Sequence, residues 1–277
     1  LLSAALALGA SLAWGLADFG GGVKARVLPA LTVMALSQPF GLLVLGVLVA
    51  VRGRGPSGPE VAWACASAAL GTIGLAAFYR GLAAGAMSVV APIAAVAAGI
   101  PVVWGVLSGD RIDVLQGVGF AAALGGSVVA SLERSGQRTQ VAAGVGWAVL
   151  AMVAFGAYYV PMHAASQHDW LWPAFVFRCT SVPLVWAAAA ARGRLPAAGR
   201  AHLPALAAIG LLDTGGNTLF AAASATHGLL SVAAVLASLY PIVTVLLARF
   251  LLGERVQRSQ DAGVLVALAG VALITAG

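Results

Sequence analysis

Charge is what this sequence has least of. Of 277 residues only 9% are charged while 61% are hydrophobic, and the mean hydropathy is +0.98. A soluble domain keeps its surface wet with roughly 25% charged residues, so this chain cannot cover a water-facing globule and most of its surface must meet lipid. Cysteine is almost missing. Cys65 and Cys179 both lie in apolar runs, with no CxxC or HExxH spacing, so they read as small packing residues; no disulfide and no metal site is expected. No GxxxxGK[ST] loop is present, which removes ATP as an energy source. No nucleophile–base constellation is visible, so an enzyme is not expected, and neither is a cofactor.

The net charge of +6 brings nucleic acid to mind, but its placement argues otherwise. The 15 Lys and Arg are scattered or in short clusters such as Arg52–Arg54 and Arg192–Arg194, without a basic stripe. That distribution fits loop charges that set membrane topology, with no nucleic-acid partner.

Glycine, in contrast, is abundant at 35 residues, as expected where helices must approach closely in lipid. Apolar runs of the length a bilayer requires, about 20 residues, fall near 1–20, 27–51, 61–80, 85–108, 114–132, 143–163, 170–191, 203–226, 228–251 and 260–277. The breakers between them include Gly20-Gly21-Gly22, Arg52–Pro56, Glu133–Arg138 and Arg192–Pro196. The runs do not alternate apolar and polar residues as barrel strands do, so they are predicted helices. Leu1–Ala17 lacks the basic start of a secretory signal and is expected to be a retained helix. Because the first residue is Leu1, one or both tails are expected to have been trimmed.

Shifting the chain by about 140 residues brings its halves into register. Trp14-Gly15 falls on Phe155-Gly156, Pro29 and Pro39 on Pro173 and Pro183, and Arg52-Gly53-Arg54 on Arg192-Gly193-Arg194. Ser88-Val89 falls on Ser231-Val232, Gly109-Asp110-Arg111 on Gly253-Glu254-Arg255, and Gly119 and Gly126 on Gly263 and Gly270. A five-span unit forces its successor to enter from the opposite side. The expected fold is therefore an all-α integral membrane protein of about ten transmembrane helices in two inverted five-helix repeats, 1–132 and 143–277, with a linker at 133–142. Inverted repeats are a plan of secondary transporters, with the solute near the midplane.

Several motifs carry a family resemblance across nearly the whole chain. Trp14-Gly15-Leu16-Ala17-Asp18-Phe19 with Lys24, Pro173 with Arg178, Ser88-Val89-Val90-Ala91-Pro92, Ser231 with Tyr240-Pro241, and Gly253-Glu254-Arg255 together resemble EamA-type proteins of the drug/metabolite transporter superfamily. Met34 stands where the pattern has arginine in the first half, and Asp110 where it has glutamate. The resemblance implies a ten-helix transporter or facilitator for small organic solutes, in the plasma membrane and often exporting. Lipid and the solute would be its partners, with the chain a monomer or homodimer. A lipid-linked-sugar flippase and a non-transporting membrane scaffold are the alternatives; the first needs a headgroup pocket, and the second needs no buried carboxylate.

Ionisable groups inside the bilayer are costly and mark functional sites. Asp213 lies about ten residues into span eight, roughly 15 Å deep, with Asn217 one turn on along the same face. These two read as a polar patch on a cavity wall, or as a packing tie to a neighbouring helix. Asp18 near the end of span one corresponds to Tyr159 under the repeat, and Ala17 to Tyr158; either two aromatics and a carboxylate hold a cationic or aromatic solute, or Asp18 is a helix-end acid reaching the interface. Trp14 at mid-span lines the cavity or packs. The expected binding set is thus Trp14, Asp18, Tyr158, Tyr159, Asp213 and Asn217, with Asp213, Asp18 and His163 the candidates for proton coupling. Arg178 is expected near the start of span seven, snorkelling or paired with a carboxylate; His163, His227 and Tyr79 read as interface anchors. Pro92, Pro101 and Pro241 are expected to interrupt spans four and nine.

Orientation has two readings. The odd-numbered loops and nearby helix ends hold eleven Lys and Arg against three on the other side, Arg178 aside, which places those loops in the cytoplasm. The family resemblance implies the reverse.

Overall fold

A backbone in hydrocarbon must satisfy its own hydrogen bonds, so apolar runs of this length become helices. The computed structural model describes residues 1–25, 27–53, 55–56, 58–84, 93–94, 96–131, 141–193, 196–226, 229–252 and 258–276. Regular secondary structure among them is entirely helical. In chain order it comprises α1 (Leu2–Ala25), α2 (Ala30–Arg52), α3 (Gly58–Ala84), α4 (Gly99–Leu107, entered through a 3-10 turn at Val96–Ala98), α5 (Val114–Ser131), α6 (Val141–Ala165) and α7 (Leu171–Ala190). Then follow α8 (Leu203–Ala225, entered through a 3-10 turn at Arg200–His202), α9 (Leu230–Ala237), α10 (Tyr240–Leu252) and α11 (Arg258–Ala276). Six of these segments are long and apolar enough to cross a membrane, and four more apolar stretches are shorter: Val96–Leu107, Val114–Val129, Leu230–Thr244 and Asp261–Ala276. Their places follow the ten predicted runs. The chain is a multi-pass membrane protein.

Size sorting supports that. Ala7, Ala10, Ala68, Ala98, Ala123, Ala148, Ser67 and Ser224 are wholly buried, whereas Leu43, Val47, Val51, Leu107, Phe250 and Leu265 are each more than 60% exposed. Small residues inside and large apolar ones outside suit a bundle whose solvent is lipid, where packing rather than the hydrophobic effect joins helices.

Helix α3 lies along α6 and α1 along α8; α2 crosses α7 and α8, α3 also meets α7, and α5 lies along α11. Helix α1 further meets α9 and α10, while α6 meets α4 and its leading turn. Glycines set the closest approaches. A Cβ on Gly15 would lie 2.9 Å from the Tyr240 carbonyl oxygen, and one on Gly156 would lie 2.5 Å from that of Ala97. On α5 and α11, a Cβ on Gly126 would reach the Gly263 carbonyl oxygen at 2.6 Å and one on Gly270 that of Gly119 at 2.7 Å. Gly53 caps α2 and Gly193 closes the turn after α7, both with φ of 65°, the left-handed region that glycine enters without a steric penalty.

Three expectations change. The Gly20-Gly21-Gly22 triplet does not end span one, since α1 runs on to Ala25. These glycines instead admit neighbours: a Cβ on Gly21 would press on the Tyr79 hydroxyl at 2.6 Å, and one on Gly20 on Ile209. Tyr79 is accordingly 7% exposed and no interface anchor. Helix α6 begins at Val141, so the last two residues of the expected linker are helical; residues 133–140, Pro92 and His227 lie outside the described residues. Pro101 and Pro241 sit in the first turns of α4 and α10, just after breaks in spans four and nine. Pro39 lies inside α2 and frees the carbonyl four residues back. That carbonyl, Ala35 O, accepts the Trp186 indole N–H of α7 at 3.0 Å.

Candidate functional site

The helices line a central, partly open cavity of about 70 Å³. Trp14 and Asp18 come to it from α1, Gln38 from α2, Gly71, Thr72 and Leu75 from α3, and Ala97 from the turn before α4. The second half contributes Phe155, Tyr158 and Tyr159 from α6, Phe177 and Arg178 from α7, Asp213 and Asn217 from α8, and Tyr240 from α10. All six residues expected to bind solute therefore face one space. Helices α2 and α7 line it as well, which the sequence reading had not foreseen. A small side chamber of about 20 Å³ shares Asp18, Gln38, Leu75 and Asp213 with the main cavity and extends past Met34 and Tyr79.

The wall is aromatic. Trp14 sits 6.1 to 6.4 Å, centroid to centroid, from the rings of Tyr158, Tyr159, Phe220 and Tyr240, three of them edge to face. Tyr158 and Tyr159 meet at 5.2 Å, and Tyr159 meets Phe220 at 4.9 Å. Such offset ring contacts are each worth about 0.5–1.5 kcal/mol beyond their buried area, so the cage is held in shape without a ligand. Glycine lets the largest rings in: a Cβ on Gly74 would meet the Phe155 ring at 2.6 Å, and one on Gly216 would meet the Trp14 indole.

One polar chain runs through this wall. Arg178 donates to Asp213 Oδ2 at 2.6 Å. The Asn217 amide donates to the Asp213 backbone carbonyl at 2.8 Å and accepts the Tyr158 hydroxyl at 2.7 Å. Asn217 thus fixes Tyr158 and spends both ends of its amide doing so. Arg178 does not snorkel: it is 1% exposed, seven residues inside α7, because a carboxylate on α8 meets it there. Arg178 is thus paired with a carboxylate, and Asp213 is tied to a neighbouring helix while it also borders the cavity.

Other polar atoms on the cavity wall stay unmatched. Gln38 is 4% exposed and its Oε1 has no hydrogen-bond partner; Arg178 Nε and Thr72 Oγ1 are likewise buried without one. Asp18 makes no hydrogen bond or ion pair with the described residues. His163 is absent from the cavity lining; it lies near the end of α6, where Gln167 Nε2 is 2.9 Å from its Nε2. Gln38, Thr72, Leu75, Phe155 and Phe177 were missed in the sequence. Gln38 and Thr72 carried a weak signal there, as uncharged polar residues in the middle of apolar spans.

The model of the EamA-like transporter family matches residues 142–276, so the second half of the chain is EamA-like. No curated protein matches the sequence. A solved crystal structure is similar over 99% of this chain and 98% of its own, with a TM-score of 0.80 and 17% identity. At that identity the likeness establishes a shared fold.

Proposed function

We propose that this chain, EamA-like in its second half, is a secondary transporter or facilitator that exports small organic solutes across the plasma membrane. It would act without catalysis, by rocking two inverted halves, 1–132 and 143–277, about the central cavity. The observation that carries this reading is the cavity itself: both halves supply its walls, and buried polar atoms line it without partners. A scaffold would have no reason to keep such atoms, since each unmet buried polar group costs about 1–3 kcal/mol.

Packing supports the inverted arrangement. Exchanging the first five spans for the last five turns the pair α3–α6 into α8–α1 and α2–α8 into α7–α3, and leaves α2–α7 and α5–α11 unchanged. The close approaches obey the same exchange, Gly15 with Tyr240 against Gly156 with Ala97, and Gly216 with Trp14 against Gly74 with Phe155. Two equivalent sets of contacts give the two access states comparable energies, which alternating access requires. Export is the direction the family resemblance implies. If protons are coupled, Asp18 is the carboxylate free to carry them, because Arg178 holds Asp213 and His163 lies off the cavity.

Purified protein in liposomes, offered radiolabelled amino acids, nucleobases, polyamines and cationic dyes, should show saturable counterflow of at least one. Thr72→Trp, which fills the cavity from α3, should abolish that flux while the protein stays monodisperse and inserted. Flux of none of these classes, or flux indifferent to Thr72→Trp, would sink the reading.

A further inference from the structure

We infer that the cavity selects a monocation: an organic amine with an aromatic or apolar body, its ammonium held by Asp18 and Gln38. This rests on the transport reading and names its substrate class.

Charge comes first. Among the described residues, the charged side chains facing the cavity and its side chamber are Asp18, Asp213 and Arg178. Arg178 and Asp213 hold each other across 2.6 Å, which leaves Asp18 as the cavity carboxyl without a cation beside it. In a desolvated cavity an ionised carboxylate needs a counter-ion, and without one it takes a proton. A bound ammonium supplies that counter-ion, whereas a zwitterion or an anion would bring a second carboxylate into the same space.

Hydrogen bonding points the same way. Gln38 is 4% exposed and its acceptor Oε1 is unmet, and Gln38 borders both chambers together with Asp18. Two acceptors on adjoining helices suit a group with several donors and no acceptor, which describes an ammonium. The aromatic part of the lining, Trp14, Tyr158, Tyr159 and Tyr240, presents ring surface to the rest of the molecule. The unmet Arg178 Nε donor is covered by a hydroxyl or ring on the same amine, since the charge of Arg178 is already spent.

Four probes share one phenyl body and differ in charge: phenethylamine, 2-phenylethanol, phenylalanine and 3-phenylpropionate. Equilibrium binding to the purified wild-type protein should rank phenethylamine first, about ten-fold or more tighter than the alcohol, with the acid weakest. Asp18→Asn should cost the amine about ten-fold in affinity and leave the alcohol unchanged; Gln38→Leu should weaken the amine several-fold. Equal binding of amine and alcohol, preference for phenylalanine or the acid, no binding of any probe, or an indifferent Asp18→Asn would each overturn the inference. The wild-type ranking decides even where a variant fails to fold. A protein that binds the amine but moves nothing in liposomes would refute the transport reading alone, and one that transports a zwitterion or anion would refute this inference alone.

Discussion

Asparagine at position 213 keeps the shape of aspartate and removes the charge that faces Arg178. The arginine is 1% exposed and its partner carboxylate 25% exposed, at 2.6 Å, so the substitution strands a guanidinium where solvent does not reach. Breaking a buried pair from one side costs about 3–5 kcal/mol. Asparagine can still accept one hydrogen bond and position 213 borders the cavity, so the lower end, about 3 kcal/mol, applies. At about 2–4 °C per kcal/mol for a chain of this size, Asp213→Asn should lower the midpoint of thermal unfolding in detergent by about 6–12 °C. Arg178→Met should lose less, because the carboxylate it leaves behind still reaches the cavity. The double variant Arg178→Met/Asp213→Asn should recover much of the loss, since no charge is then buried alone. Size-exclusion chromatography after heating gives all three midpoints. A loss below about 2 °C for Asp213→Asn, or strict additivity of the two single losses in the double variant, would refute the ion-pair account.

Two further outcomes follow from packing. Trp186→Phe leaves the Ala35 carbonyl without its donor and should destabilise by about 1 kcal/mol or more; adding Pro39→Ala restores a backbone N–H and should return most of that, read by the same thermal assay. Gly126→Val drives a side chain into the Gly263 carbonyl of α11 and should destabilise by about 1–3 kcal/mol, whereas Gly22→Ala, with nothing within 4 Å, should leave the midpoint unchanged.

The candidate site was legible in the sequence wherever rarity gave it away. Asp18 and Asp213 stand out in apolar runs because lipid tolerates charge so poorly, and both reached the cavity wall. Tyr158 and Tyr159 were found through the repeat, which set Ala17 against Tyr158 and Asp18 against Tyr159, and Trp14 through its place at mid-span. Gln38, Thr72 and Phe177 stayed hidden because a polar or aromatic residue in a span can equally face a neighbouring helix. The glycine triplet was misread for a similar reason. Glycine is a poor helix former in water, yet at 20 and 21 it answers to Ile209 and Tyr79 pressing from other helices.

By itself, then, the sequence determined that the chain lives in lipid and where most of its helices run. Both follow from local composition, because each span must satisfy its own backbone and meet hydrocarbon with its own side chains. Tertiary structure alone decided which charge is spent and which is free. Arg178 and Asp213 are 35 residues apart on separate helices, and nothing in either span says that they meet. Whether a buried carboxylate is a structural tie or an open site depends on what lies across the gap from it, and helix packing places that partner.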